Sequence, residues 1–187
     1  MTQSIHTRQG LPEEMRILLR DYPRDSWPGH PNFAASVQNW MGAHAMFRQL
    51  GTITRSDTEA FLNKNTDPDR YASRLGHFGT LLVRNLHGHH TWEDRSFFPE
   101  LQAADDRFEQ GLETLEADHN VLDETLDRFT RSANRFLKLS HLNPKQAHEE
   151  ASELRDQIEA IQGFLNRHLA DEEDLVVPII LHYKLRG

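Results

Sequence analysis

His89 and Glu93 stand four residues apart with Pro99 six further on, and His168, Glu172 and Pro178 repeat that pattern at identical spacing. Each copy follows a solitary histidine: His44 lies 45 residues before His89, and His119 lies 49 before His168. On an α-helix, positions i and i+4 share a face with Cβ atoms about 5–6 Å apart, so each His/Glu pair can grip one metal region. A half-molecule of "His, then His-x-x-x-Glu" therefore occurs twice. That is the pattern of a dinuclear metal site with two-fold-like character.

The remaining composition narrows the chemistry. At 187 residues the chain predicts one domain with a substantial core. A formal net charge of -8 argues against nucleic acid or an anionic membrane as partner. The twelve histidines are scattered, so they are no purification tag, and the chain has no cysteine. Disulfides, thiolate zinc sites, iron–sulfur clusters and a cysteine nucleophile are thereby excluded, and any metal must be held by nitrogen and oxygen. Residues 1–6 lack the basic and apolar blocks of a signal peptide, and the longest apolar stretch, Leu175 to Leu181, is far short of a membrane span. The expectation is a soluble cytoplasmic protein.

Local signals place the elements. Residues 1–31 read as an N-terminal extension packing on the domain: a short helix around Pro12–Asp21, then a loop rich in proline and tryptophan. The domain itself spans 32–187. A first helix starts near Asn32 and stops at Leu50-Gly51, where glycine suits a C-terminus. Residues 51–67 read as polar and turn-rich, with room for a short helix after Asp57. Asp67-Pro68 opens a second helix as cap plus first-turn proline, and Pro99 ends or kinks it. A third runs from about Asp105 to Ser140, and Asn143-Pro144 opens a fourth that reaches Tyr183 with Pro178 inside it. No strand alternation is present.

The six repeated residues fall in the apolar seams of these helices. The fourth helix reads Ile158, Ile161, Leu165, His168, Glu172, Leu175, Ile179, His182, and the third reads Leu112, Leu115, His119, Leu122, Leu126. The second reads Leu82, Leu86, His89, Glu93, and the first Val37, Trp40, His44, Phe47. A single seam histidine is better explained as a core residue bonded to a backbone carbonyl. Two seam glutamates are harder to accommodate, because an ionised carboxylate in an apolar interior costs several kcal/mol unless compensated. Cations bound by both carboxylates remove that penalty. Four helices with inward polar side chains describe an all-α four-helix bundle with a site in its core.

These residues resemble the hemerythrin-like, HHE cation-binding family. The resemblance rests on His44, on His89-x-x-x-Glu93 before Phe98-Pro99, on His119, and on His168-x-x-x-Glu172 before Val177-Pro178, and covers about residues 32–183. It implies an up-down-up-down bundle around a non-haem di-iron centre with a bridging oxo or hydroxo group. By that resemblance Glu93 and Glu172 bridge the irons, and His44, His89, His119 and His168 are terminal ligands. Such a set fills about ten of twelve positions on two octahedral metals, leaving two for water, dioxygen or a small anion. Oxygen-carrying members have a further histidine four residues after the one on the third helix; Asp123 stands there. His90 reads as an outer or exposed residue, with a role as the fifth histidine ligand as the alternative, and Asp123 is a candidate ligand or hydrogen-bond partner of one.

Other polar residues carry plainer expectations. His87 reads as solvated, Asp94 and Glu173 as surface charge or outer partners of the ligands, and His182 as a hydrogen-bonded core residue. Trp92, Phe97 and Phe98 read as packing. The run Asp171-Glu172-Glu173-Asp174 reads as a solvated face from which only Glu172 is lifted. Three functions fit: a di-iron module binding dioxygen or a related small molecule for sensing, storage or transfer; a di-iron oxidase or peroxidase; or a metal-stabilised regulatory bundle acting through a protein partner. Histidine-rich ligation favours the first, a non-enzymatic role, because oxygen-activating ferritin-like enzymes use more carboxylates. Nitrogen and oxygen donors also accept zinc or manganese.

Overall fold

The computed structural model describes residues 4–186; Met1–Gln3, at the head of the N-terminal extension, and Gly187 lie outside the described residues. Every regular element is helical, and no strand occurs among the described residues. The α-helices are α1 (Ala35–Leu62), α2 (Pro68–Arg74), α3 (Thr80–Trp92), α4 (Phe98–Ala104), α5 (Glu109–Leu142) and α6 (Pro144–Tyr183). No helix among the described residues is long and apolar enough to cross a membrane.

The boundaries show which local signals prevail. Asp67 caps α2, accepting from the Arg70 N–H at 2.9 Å, with Pro68 in the first turn. Gly51 does not end α1. Its φ is not positive, so it forms no left-handed cap, and the helix continues to Leu62, followed by Lys64 at φ 60°. Gly51 serves close approach instead: a Cβ there would lie 3.2 Å from Gln162 Cγ. The polar residues that follow are absorbed by the helix, with the Thr54 and Thr58 hydroxyls donating to the carbonyls of Leu50 and Thr54. Nor does Pro99 end its helix. A π turn, Glu93–Phe97, links α3 to α4, and the Phe98 N–H bonds five residues back to the Glu93 carbonyl. This shifted turn carries the chain into α4 with Pro99 in its first turn, where a missing N–H does no harm. A second π turn, Leu75–Gly79, joins α2 to α3.

The chain forms two compact units. One gathers the described parts of 1–46, 90–120 and 164–187; the other holds 47–89 and 121–163. The first unit's core contains Leu11, Trp27, Val37, Phe97, Phe98, Leu115, Val176 and Ile180, all buried. Here the N-terminal segment folds as tight turns, Glu13–Met15, Ile17–Arg20 and Arg24–Gly29, not as the continuous helix expected; Arg16, at φ −120° and ψ 42°, interrupts the first two. In the second unit Tyr71 stacks on Phe61 at 4.8 Å, and its hydroxyl meets that of Thr58 at 2.8 Å.

Candidate metal centre

Seven side chains from four helical runs form two donor groups. His44, His89, Glu93 and Glu172 each offer one ligand atom, and these atoms lie within 4.8 Å of one another; the same holds for His90, His119 and His168. His89 is the last residue of the second unit, but it precedes Glu93 by four residues on an unbroken helical run, so helix geometry alone brings the two together. His44, Glu93, His168 and Glu172 are wholly buried, and His90 and His119 nearly so. His90 thus lies deeper than its neighbour His89, which is half-buried against Phe47. Its ring stacks on His119 at 4.0 Å. Asp123 belongs to neither group. It faces His87 at 3.0 Å with its side chain 46 % exposed, because position 123 lies one residue off the seam defined by His119, Leu122 and Leu126.

Carboxylates fix the histidine tautomers. His44 Nδ1 donates to Glu173 Oε1 at 3.0 Å, His119 Nδ1 to Asp94 Oδ1 at 2.7 Å, and His168 Nδ1 to Asp118 Oδ2 at 3.2 Å. A neutral imidazole that donates from Nδ1 presents a lone pair at Nε2. His44 Nε2 points to Glu172 Oε2 at 3.3 Å, and the Nε2 atoms of His119 and His168 face each other at 3.1 Å. Burial holds His168 neutral, its pKa lowered to about 4 despite the raising contact with Asp118. Two lone pairs directed at one another with both Nδ1 protons engaged are a donor set suited to a cation.

The carboxylates join the two groups. Glu93 Oε2 lies 3.8 Å from His119 Nε2, and Glu172 Oε2 lies 3.9 Å from His168 Nε2. Trp40 Nε1 donates to Glu93 Oε1 at 2.7 Å, orienting that carboxylate. Neither oxygen of Glu172 has a hydrogen-bond partner. Burial, and then repulsion from Glu93, push the Glu172 pKa well above the usual carboxylate range. A fully buried carboxylate beside a second carboxylate and imidazole lone pairs fits a bound cation, and in the metal-free chain a proton.

The acidic run of α6 departs from expectation. Asp171, Glu172 and Glu173 are all buried, not solvated. The N-terminal segment supplies the reason. Arg8 Nε donates to Asp171 Oδ2 at 2.7 Å, and Arg8 also grips both oxygens of Asp118; Arg24 donates to Glu173 at 2.8 Å and Asp174 at 2.6 Å. Burial alone would raise Asp118, but hydrogen bonds from His168 and Arg8 outweigh it and hold its pKa low. His182 is exposed rather than in the core, bonded to the Tyr22 hydroxyl at 3.1 Å. Helical periodicity does not reveal Arg8, Arg24 or Asp118; the arginines at 8, 16 and 24 are the sequence signal for cations facing the acidic run.

Residues 35–180 match the Hemerythrin HHE cation binding domain. The chain belongs to that family. The match begins at the first residue of α1 and ends within α6, so it includes every residue of both donor groups and leaves out the segment carrying Arg8 and Arg24. No curated protein and no solved structure matches the chain.

Proposed function

We propose that this hemerythrin-family chain is a non-haem di-iron protein that binds dioxygen or a related small molecule for sensing, storage or transfer. The observation that carries the reading is the pairing of two donor groups through the buried carboxylates of Glu93 and Glu172. In this assignment His44 and His89 would hold one iron, His90, His119 and His168 would hold the other, and Glu93 and Glu172 would be shared between them. Family membership supports reading the four long helical runs as an up-down-up-down four-helix bundle. Five imidazoles and two carboxylates make seven protein donors and nine bonds if both glutamates bridge. With a bridging oxo or hydroxo group counted twice, eleven of about twelve positions on two octahedral metals are filled. One position remains for a small diatomic molecule or anion. Bound iron would supply the redox chemistry. The chain's own residues hold His44, His119 and His168 in the ligating tautomer and orient Glu93 through Trp40, with Phe97 and Phe98 packed in the core of the same unit.

Imidazole-rich ligation favours binding over turnover, and cytoplasmic placement is part of the same reading. Stopped-flow mixing of the anaerobically loaded diferrous protein with dioxygen tests it. A long-lived spectral species that reverses on removing oxygen supports the binding function. Rapid, repeated consumption of reductant instead identifies an oxidase or peroxidase.

A further inference from the structure

Two of the three carboxylates behind the histidines are themselves held by the N-terminal segment. Asp118, behind His168, meets Arg8 through both oxygens, and the Arg8 side chain is 1 % exposed. The same guanidinium reaches Asp171 on α6, which also accepts from the Leu11 N–H at 3.2 Å and pairs with Arg167 at 2.6 Å. Glu173, behind His44, is held by Arg24, which spans to Asp174 and to the Ala170 carbonyl at 2.9 Å. Arg16 adds a 3.3 Å contact to Asp174. Four outer carboxylates, Asp118, Asp171, Glu173 and Asp174, are thus met by four guanidiniums, Arg8, Arg16, Arg24 and Arg167.

We propose that Arg8 and Arg24 are positioning residues for the metal centre, acting through Asp118 on His168 and through Glu173 on His44. The segment outside the family-matched residues then fastens one histidine of each donor group, and so governs how firmly the chain keeps its metals. The physical argument is geometric. The Arg8 fork takes both oxygens of Asp118 and leaves that carboxylate, and the His168 imidazole bonded to it, one orientation; Arg24 holds Glu173 through Oε2 alone, which turns Oε1 to His44. Without the fork, Asp118 is a buried anion free to rotate away, and His168 loses the partner that fixes its Nδ1 proton. Disturbing such outer partners typically changes metal affinity 10–100-fold. His119 is the internal contrast, since its partner Asp94 is 38 % exposed, whereas Asp118 and Glu173 are buried.

The inference rests on the dinuclear reading above, and its test separates the two. Full-length wild type, R8Q, R24Q, R8K and D118N, and the double variant R8Q/D118N, are loaded anaerobically with ferrous iron and challenged with a chelator well below their unfolding temperatures. The expected result is iron loss accelerated 10–100-fold in R8Q and R24Q, with a changed ferric absorption spectrum. R8K, which keeps the charge but not the fork, recovers part of the loss, and the double variant loses iron no faster than D118N. Arg24 is 42 % exposed, so R24Q keeps the test decisive should R8Q fold poorly. Wild-type retention and spectrum in R24Q and folded R8Q, with only a lowered unfolding midpoint, would make the segment a mere structural strap and overturn the inference alone. A wild-type chain holding fewer than two irons overturns the dinuclear reading and this inference together.

Discussion

Glu172→Gln should have opposite effects on the metal-free and metal-loaded protein. In the metal-free chain Glu172 is fully buried, the ring nitrogens beside it offer lone pairs rather than protons, and Glu93 is close by. At neutral pH the folded state must therefore bury a charge or take up a proton that the unfolded state does not hold. Its folded pKa is raised, so the folded state binds the extra proton above about pH 4.5, and stability is lost as pH rises from there. Gln has nearly the same shape and no charge, and removes this term. The net gain is about 1–3 kcal/mol at pH 7, since the effective penalty for a buried ion is several kcal/mol and an unpaired amide still costs part of it. For a chain of this size that corresponds to an increase of roughly 3–9 °C in Tm. In the loaded protein the same change removes an anionic bridge and should lower both iron content and Tm. Calorimetry of chelated and reconstituted samples reads both signs. A metal-free E172Q less stable than wild type at pH 7, or a loaded E172Q retaining both irons, would refute the reasoning.

Three further outcomes follow from individual contacts. His168→Ala should release metal and lower stability by about 2–4 kcal/mol in chemical denaturation, because it leaves a cavity where a fully buried ring stood and takes one hydrogen bond from Asp118; unchanged metal content would defeat the assignment. In metal-free E172Q, where the opposing Glu172 term is gone, His168 should dominate the acid limb. Its folded pKa of about 4 lies below the unfolded 6.5, so its contribution is full above pH 6.5 and is lost as pH falls towards 4. The loss is at most about 3 kcal/mol, read from denaturation curves across that range, and a flat profile would contradict it. Thr58→Val should cost about 1–3 kcal/mol by leaving the buried Tyr71 hydroxyl without its partner, with iron content unchanged; a loss of iron would show the effect is not local.

The burial of the candidate ligands was legible because helical periodicity and the price of burying charge act on the same positions. His44, Glu93, His119, His168 and Glu172 stand where the 3-4 repeat demands apolar side chains, and the structure buries each of them. Asp67-Pro68 and Asn143-Pro144 were legible for a local reason, since cap and proline chemistry need no tertiary partner. Gly51 misled because a glycine reads alike as a helix stop and as space for Gln162; Pro99, expected to end or kink its helix, does not end it, because a π turn carries the helix into the proline. The buried state of Asp171 and Glu173 depends on arginines roughly 150 residues away in the chain, beyond the reach of any local pattern. His90 and Asp123 differ by which side of the seam a one-residue step falls, a rotation of about 100° that sequence spacing leaves open.

Anomalous diffraction at the iron edge, on crystals of anaerobically reconstituted protein, tests the central claim most directly. The account predicts two strong peaks per chain, one among His44, His89, Glu93 and Glu172 and the other among His90, His119 and His168. A single peak, or iron scattered on surface carboxylates with these side chains ordered around solvent, would contradict it.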